Sequence, residues 1–204
     1  MAVLCGASSA TITDHPSSPA LTTGAIEQNV KENLLREAGG DAITAVHVLG
    51  YTWGTTTMYS YHTYGKPAER QPDPCDRIII ADCLWMPLQH VNLVKTILHY
   101  LDPSSPHNCA LVVAGFHTGR GIVRSFFETA TEDARDEDGR QREGPVTDDQ
   151  PGDADLLAVQ GRLKTAEIFE VDVSGNRRPW QPVRGGESKE EARRWCVCAV
   201  LVRR

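Results

Sequence analysis

The chain has 204 residues, of which 40% are hydrophobic and 24% charged, and its formal net charge is −6. This length and composition suit one globular domain with its own core. No apolar run approaches the roughly 18 residues of a membrane-spanning helix, and the first ten residues lack the basic region of a secretory signal. We therefore expect a soluble, cytoplasmic protein with no membrane partner.

The negative charge is concentrated in one segment. Residues 130–155 contain ten acidic residues and three arginines, so that the rest of the chain is close to neutral. This segment is poor in large apolar residues, which predicts a disordered acidic insertion. The sequence has no basic stripe with interleaved aromatic residues, and we expect no nucleic-acid partner.

Six cysteines are scattered along the chain, without a C-x-x-C pair or histidines at zinc-finger spacing. Zinc sites need such clustered ligands, so we expect no metal site. Cys196 and Cys198 would point to one face of a strand, and we interpret them as buried free thiols.

Hydrophobic periodicity predicts a strand at residues 10–14 and a second strand at residues 45–49. Between them, Ile26, Val30 and Leu34 recur at helical spacing. Thr22 or Thr23 would cap the start of this helix, and the glycines at positions 39–40 would end it. The polar residues 55–76 are typical of a loop.

The second half of the chain continues the alternation. Residues 77–84 form an apolar run typical of a central parallel strand covered on both faces. Amphipathic helices are predicted at residues 88–101 and from residue 122, with a buried strand at residues 109–116 between them. Two late strands, 166–173 and 195–202, indicate an antiparallel edge. The order predicts an α/β fold with a mainly parallel sheet.

Candidate ligand-binding residues stand where the predicted strands end, because ligands of open α/β sheets bind beyond the carboxyl ends of the strands. Asp14 would suit ribose hydroxyls, Trp53 an adenine ring, and Asp82 a cationic cofactor or a substrate amine. Structural roles are open for each of them: a turn former at Asp14, a core residue at Trp53 and a helix cap at Asp82. His117 and Arg120 follow the next strand and would begin a helix.

Several segments resemble the fungal nicotinamide N-methyltransferase-like proteins, which belong to the seven-stranded protein-lysine methyltransferases. The segments are TITDHPS, IEQNVKENL, LGYTWG, RIIIADCLWMPLQHVNLVKTIL, LVVAGFHTGR and AEIFEVDVSGNRRPW, and the resemblance covers residues 1–125 and 163–204. It implies a Rossmann-like class I sheet that binds S-adenosyl-L-methionine. It also implies N-methylation of a protein amine, with translation elongation factor 1-alpha as the family's best-described substrate.

The resemblance also implies roles for individual residues. Asp14 matches the ribose-binding acid, Trp53 the tryptophan beside the adenine, and Ala81 the end of the strand that lines the pocket. Asp82 would orient the amine, and Trp85 stands where related enzymes with a D-x-x-Y motif have tyrosine. The hydrogen bond through the tyrosine hydroxyl is therefore not expected here.

The family's first strand and glycine-rich loop should precede Asp14 by about 20 residues, which is more than the chain has before it. We expect a partial single domain over residues 1–204, monomeric, whose first residues end a helix with Gly6 as cap. A truncated sequence and a short homologue that has lost cofactor binding both fit this expectation. A non-catalytic binding protein and a small-molecule N-methyltransferase of nicotinamide type therefore stay as alternatives, with a different α/β nucleotide enzyme as a weaker one.

Overall fold

The computed structural model describes residues 2–37, 45–60, 68–131 and 153–204. Its contacts separate the chain into two compact units, unit 1 from Met1 to Pro72 and unit 2 from Asp73 to Arg204. Each unit contains helices and one sheet, so the fold is mixed α/β with two sheets. The single domain over residues 1–204 stays a prediction, and the units are described separately below.

Unit 1 has a four-stranded sheet in the order β1-β2-β3-β4. The pair β1–β2 is parallel, whereas β2–β3 and β3–β4 are antiparallel. Its elements in chain order are a 3-10 turn Val3–Cys5, β1 Ala10–Asp14, α1 Pro19–Thr22, α2 Ala25–Glu37, β2 Val46–Tyr51, β3 Met58–Ser60 and β4 Ala68–Arg70.

The first turn and α2 of unit 1 match the sequence prediction in part. Gly6 has a φ of 95° and its N–H bonds to the carbonyl of Val3, which confirms it as the cap of the first turn. Leu34 is buried on α2, as its spacing predicts. The predicted cap is wrong: Thr22 and Thr23 donate their hydroxyl hydrogens to the carbonyls of residues 18 and 19, because they close the separate helix α1. The predicted end at residues 39–40 lies outside the described residues.

Two expectations for unit 1 are corrected. The predicted loop 55–76 contains the strands β3 and β4, whose three residues each are too few and too polar to give a pattern. The first strand, predicted as buried, has three exposed residues in its middle, since β1 pairs with β2 on one side only among the described strands.

Unit 2 has a five-stranded sheet in the order β5-β6-β9-β7-β8. The pair β5–β6 is parallel, and the other three pairs are antiparallel. Its elements in chain order are β5 Arg77–Ala81, a 3-10 turn Pro87–Gln89, α3 His90–Tyr100, β6 Cys109–Gly115, α4 Arg120–Thr131, α5 Asp153–Val159, β7 Leu163–Asp172, β8 Arg177–Pro179, α6 Lys189–Ala192 and β9 Trp195–Arg203.

The core of unit 2 uses one face of this sheet. Ile80, Val112 and Ala199 are opposite one another in register and all buried. Alternate residues point to the other face, where Ile79 is 65% exposed and Val113 is also exposed. The expectation of a central strand covered on both faces is therefore wrong: the face with Ile79 is exposed, and among the described strands β5 is an edge strand with only β6 beside it.

The described strands form two parallel and five antiparallel pairs, so the predicted mainly parallel sheet is not what they show. The late strand β9 is antiparallel, as predicted, but it lies between β6 and β7 and not at the edge. Most of the predicted acidic insertion, residues 132–152, lies outside the described residues. Its margins are helical, since α4 extends to Thr131 and α5 begins at Asp153.

Candidate functional site

Asp14 ends β1 in unit 1, and its carboxylate organises the turn that follows. Oδ1 accepts a hydrogen bond from the backbone N–H of His15 at 2.7 Å, and Oδ2 accepts one from the hydroxyl of Ser18 at 2.6 Å. The structural role predicted as an alternative is thus present. A carboxylate oxygen has two acceptor positions, so each oxygen keeps one for a further donor.

Trp53 lies in a turn after β2, at the same end of the parallel pair as Asp14. In this pair Asp14 is opposite Gly50, three residues before the tryptophan. The backbone N–H of Thr55 bonds to the carbonyl of Thr52 at 3.2 Å, and Gly54 has a φ of 83°, which favours glycine at that position. Trp53 is half-buried, so it is not an ordinary core residue.

Asp82 follows β5 in unit 2 and has a strained backbone. Its φ of 55° is the one positive φ of a non-glycine residue within the described ranges. The backbone N–H of Asp82 bonds to the carbonyl of Val113 at 2.7 Å, and its Oδ1 accepts the N–H of Gly115 at 3.1 Å. Strain of this kind is concentrated at functional sites, and here one donated and one accepted hydrogen bond, both to β6, hold the backbone in place.

The residues around Asp82 are arranged by a buried histidine. Ala81 and Trp85 are exposed, the latter by 50%, whereas Leu84 between them is buried. The Leu84 carbonyl accepts a hydrogen bond from Nε2 of His90 at 2.9 Å, so this nitrogen carries the hydrogen. Burial holds the pKa of His90 below its ordinary value, against the opposite effect of this hydrogen bond. The strand end is therefore anchored to α3, with Asp82 and Trp85 facing outward.

His117 follows β6 and lies next to Asp82. Its Nδ1 is 3.8 Å from Oδ1 of Asp82, and the two side chains are 46% and 60% exposed. A Cβ atom on Gly115 would lie 3.2 Å from that nitrogen, so the glycine leaves room for the imidazole. Cys196, on β9 opposite Gly115, is a half-buried free thiol whose pKa is raised first by burial and then by the charge of Asp82.

A buried cluster of charged residues, missed by the sequence prediction, lies behind this edge of unit 2. Glu170 on β7 is fully buried and accepts both terminal nitrogens of Arg120, at 2.6 and 2.8 Å, and Nε of Arg178 at 2.6 Å. Glu187 accepts Nε of Arg120 and a terminal nitrogen of Arg178, each at 2.5 Å. Arg120 begins α4, which confirms that part of its expected role.

Aromatic rings complete this cluster. The Arg120 guanidinium carbon is 4.0 Å from the centre of the Phe116 ring, and Trp180 stacks on the same ring at 5.8 Å. Arg178 lies 3.7 Å above the ring of Trp195. The sequence contains one indication of this cluster. A turn centred on Ser174 would place Glu170 opposite Arg178 in a β7–β8 hairpin, and this is the observed register.

The predicted site residues therefore form two groups. Asp14 and Trp53 share one end of the β1–β2 pair in unit 1, and Ala81, Asp82 and Trp85 are at the end of β5 in unit 2. Their convergence on one cofactor stays a prediction. Two cavities, of about 580 Å³ in unit 1 and 480 Å³ in unit 2, are lined by other residues. No group of metal-ligating side chains is found in the described ranges.

Comparison with known proteins finds a similar curated methyltransferase. The chain is 24% identical over 176 residues to the protein N-terminal and lysine N-methyltransferase EFM7 of Gibberella zeae. It resembles a protein methyltransferase. The aligned region is 84% of this chain, which spans 63% of the length of that curated relative. No family model matches the sequence. No helix among the described residues is long and apolar enough to cross a membrane.

Proposed function

We propose that this chain carries part of an S-adenosylmethionine-dependent N-methyltransferase of the Rossmann-like class I type, acting on an amine of a protein. The similarity to a protein N-terminal and lysine N-methyltransferase over 176 residues carries this proposal. The parallel pairs β1–β2 and β5–β6 support it, because an acid stands at the carboxyl end of β1 and of β5.

The residues of unit 1 have the chemistry that the adenosine part of the cofactor requires. Each oxygen of Asp14 keeps an acceptor position beside its local hydrogen bond, which suits the two ribose hydroxyls. Trp53 is half-buried on the turn after β2, and an aromatic side chain that is not fully packed in the core suits stacking on adenine. We assign both residues to cofactor binding.

We assign the residues at the end of β5 in unit 2 to the methyl acceptor, and Ala81 among them to cofactor binding. When bound, S-adenosylmethionine supplies a methyl group activated by its sulfonium sulfur. Oδ1 of Asp82 accepts the N–H of Gly115, whereas its Oδ2 has no hydrogen bond to the described residues. The side chain is well exposed, so Asp82 would attract and orient an amine. The exposed ring of Trp85 would form an apolar wall against the acceptor's alkyl chain. Placement and removal of water are the main contributions required of the protein.

Binding of S-adenosylhomocysteine to this chain, measured by calorimetric titration, tests the cofactor assignment. We expect micromolar binding that weakens at least about tenfold in Asp14→Asn, because a charge-assisted hydrogen bond contributes roughly 1.5–3 kcal/mol. Asp73→Asn, which changes an exposed acid outside the site, is the matched control. Absence of binding by the unaltered chain would contradict the proposal and favour a non-catalytic binding protein.

The acceptor is tested by supplying radiolabelled cofactor with purified elongation factor 1-alpha or with nicotinamide. We propose the protein substrate, since the curated relative is named for N-terminal and lysine methylation. Label in the protein, reduced in Asp82→Asn and unchanged in Asp73→Asn, is the expected result. Label in nicotinamide alone would contradict the protein substrate and support a small-molecule enzyme.

A further inference from the structure

The side chain of His117 lies beside that of Asp82 at neighbouring strand ends. His117 does not begin α4, which starts at Arg120, and the proposed function assigns it no role. Its Nδ1 is 3.8 Å from the Asp82 carboxylate, and Gly115 between them has no side chain to separate them. Asp82 is held toward this place by its positive φ and by the N–H of Gly115. Nε2 of His117 is the ring nitrogen that is not directed to the carboxylate.

We infer that His117 is the proton acceptor for the substrate amine, with Asp82 fixing its Nδ1–H tautomer so that Nε2 is free to act as the base. This inference rests on the proposed methyltransferase function. A carboxylate beside one ring nitrogen of histidine orients the imidazole and stabilises the imidazolium that forms. The distance of 3.8 Å is longer than a hydrogen bond, so this role requires the exposed imidazole to rotate toward the carboxylate.

The proton balance explains why such a group is needed. A lysine ammonium, with a pKa of about 10.4, transfers one proton to Nε2 and becomes a neutral amine. The nitrogen lone pair then forms the N–C bond while the methyl–sulfur bond breaks, and that electron pair stays on sulfur. The imidazolium returns its proton to water, which the exposure of the ring permits. The overall reaction releases one proton and one neutral thioether.

The charged and titratable groups on the elements around His117 are consistent with this role. Asp82 at the end of β5 provides a negative charge, and Cys196 at the start of β9 has a raised pKa, so that it stays a neutral thiol. The guanidinium of Arg120 on α4 is held by Glu170 and Glu187. The carboxylate is therefore the charged neighbour that would stabilise an imidazolium.

Methyl transfer as a function of pH tests the inference. In His117→Gln we expect kcat to fall by about 10²-fold near pH 7, with little change in KM and partial recovery toward pH 9 as the amine loses its proton unaided. His107→Gln, at another exposed histidine of unit 2, is the matched control. A His117→Gln variant as active as the unaltered chain from pH 6 to 9 would overturn the inference.

The tautomer is measured without any activity, by NMR of the imidazole nitrogens in the full chain. We expect the Nδ1–H form at His117, lost in Asp82→Asn and disturbed in Gly115→Ala. A ring with its hydrogen on Nε2 in the unaltered chain overturns the inference even if methyl transfer is observed. Absence of methyl transfer to every acceptor, together with the Nδ1–H form, refutes the proposed function and the catalytic role while leaving the pairing established.

Discussion

Glu170 gives the sharpest stability prediction, because it is fully buried and its carboxylate is surrounded by donors. Besides Arg120 and Arg178, it accepts the backbone N–H of Gln181 at 3.2 Å and a terminal nitrogen of Arg184 at 3.4 Å. Glu170→Gln would leave three guanidinium groups with Glu187 as their one remaining carboxylate in the cluster. The amide nitrogen would also face these donors without an acceptor.

Breaking a buried ion pair on one side costs about 3–5 kcal/mol, because an uncompensated charge stays buried. With a urea slope of about 2–3 kcal/mol/M, the unfolding midpoint should fall by roughly 1–2 M. Glu167→Gln, an exposed acid on the same strand, should change the free energy of unfolding by less than about 0.5 kcal/mol. The comparison of the two variants therefore separates the effect of removing a buried carboxylate from the effect of removing a negative charge on the same strand.

Urea unfolding followed by tryptophan fluorescence is a suitable assay, because Trp180 and Trp195 lie against the arginines of the cluster. If Glu170→Gln unfolds within about 0.5 kcal/mol of the unaltered chain, the cluster does not stabilise unit 2. A double-variant cycle with Arg120→Ala should give a coupling energy of about 0.5–3 kcal/mol. Additive losses would contradict the direct contact between these two residues.

Further measurements concern pH and backbone conformation. Burial would raise the pKa of Glu170, but hydrogen bonds from Arg120 and Arg178 outweigh it and lower the pKa; hydrogen bonds from the same arginines lower that of Glu187. The two ionised carboxylates stabilise the fold fully above about pH 4.3, the pKa of an unfolded glutamate. This stabilisation should be lost as the pH falls through their lowered pKa values in the folded state. The loss should be smaller in Glu170→Gln. The pKa of His90 is also depressed by burial, so unfolding should become easier as pH falls below about 6.5, and less so in His90→Gln. Asp82→Ala should be about 1 kcal/mol less stable than Asp82→Gly in thermal unfolding, since alanine resists a φ of 55°; equal stabilities would contradict the strain.

The sequence predicted those features that depend on local patterns. Strand patterns predicted β1, β2, β5, β6, β7 and β9 within a few residues, and helical spacing predicted α2, α3 and α4. Asp14 and Asp82 were predicted at strand ends, and the structure has Asp14 as the last residue of β1 and Asp82 directly after β5. The residues for a candidate site were thus available before the sheet order was known.

Non-local features were not accessible in this way. Glu170 reads as the polar position of an alternating strand, and its burial depends on Arg120, 50 residues earlier, as well as on Arg178 after the hairpin. The proximity of Asp82 and His117 follows from the parallel pairing of β5 with β6, which places residues more than 30 positions apart side by side. β3 and β4 exist through pairing and have no apolar period of their own.

The left-handed backbone at Asp82 restricts which mutations this position tolerates over evolutionary time. Asparagine and glycine adopt such a conformation at little cost, whereas β-branched residues strongly resist it. If only the fold is under selection, this position can therefore vary among aspartate, asparagine and glycine. Selection for a negative charge would retain aspartate. Natural variants with asparagine or glycine at this position would keep the left-handed turn and lose the carboxylate.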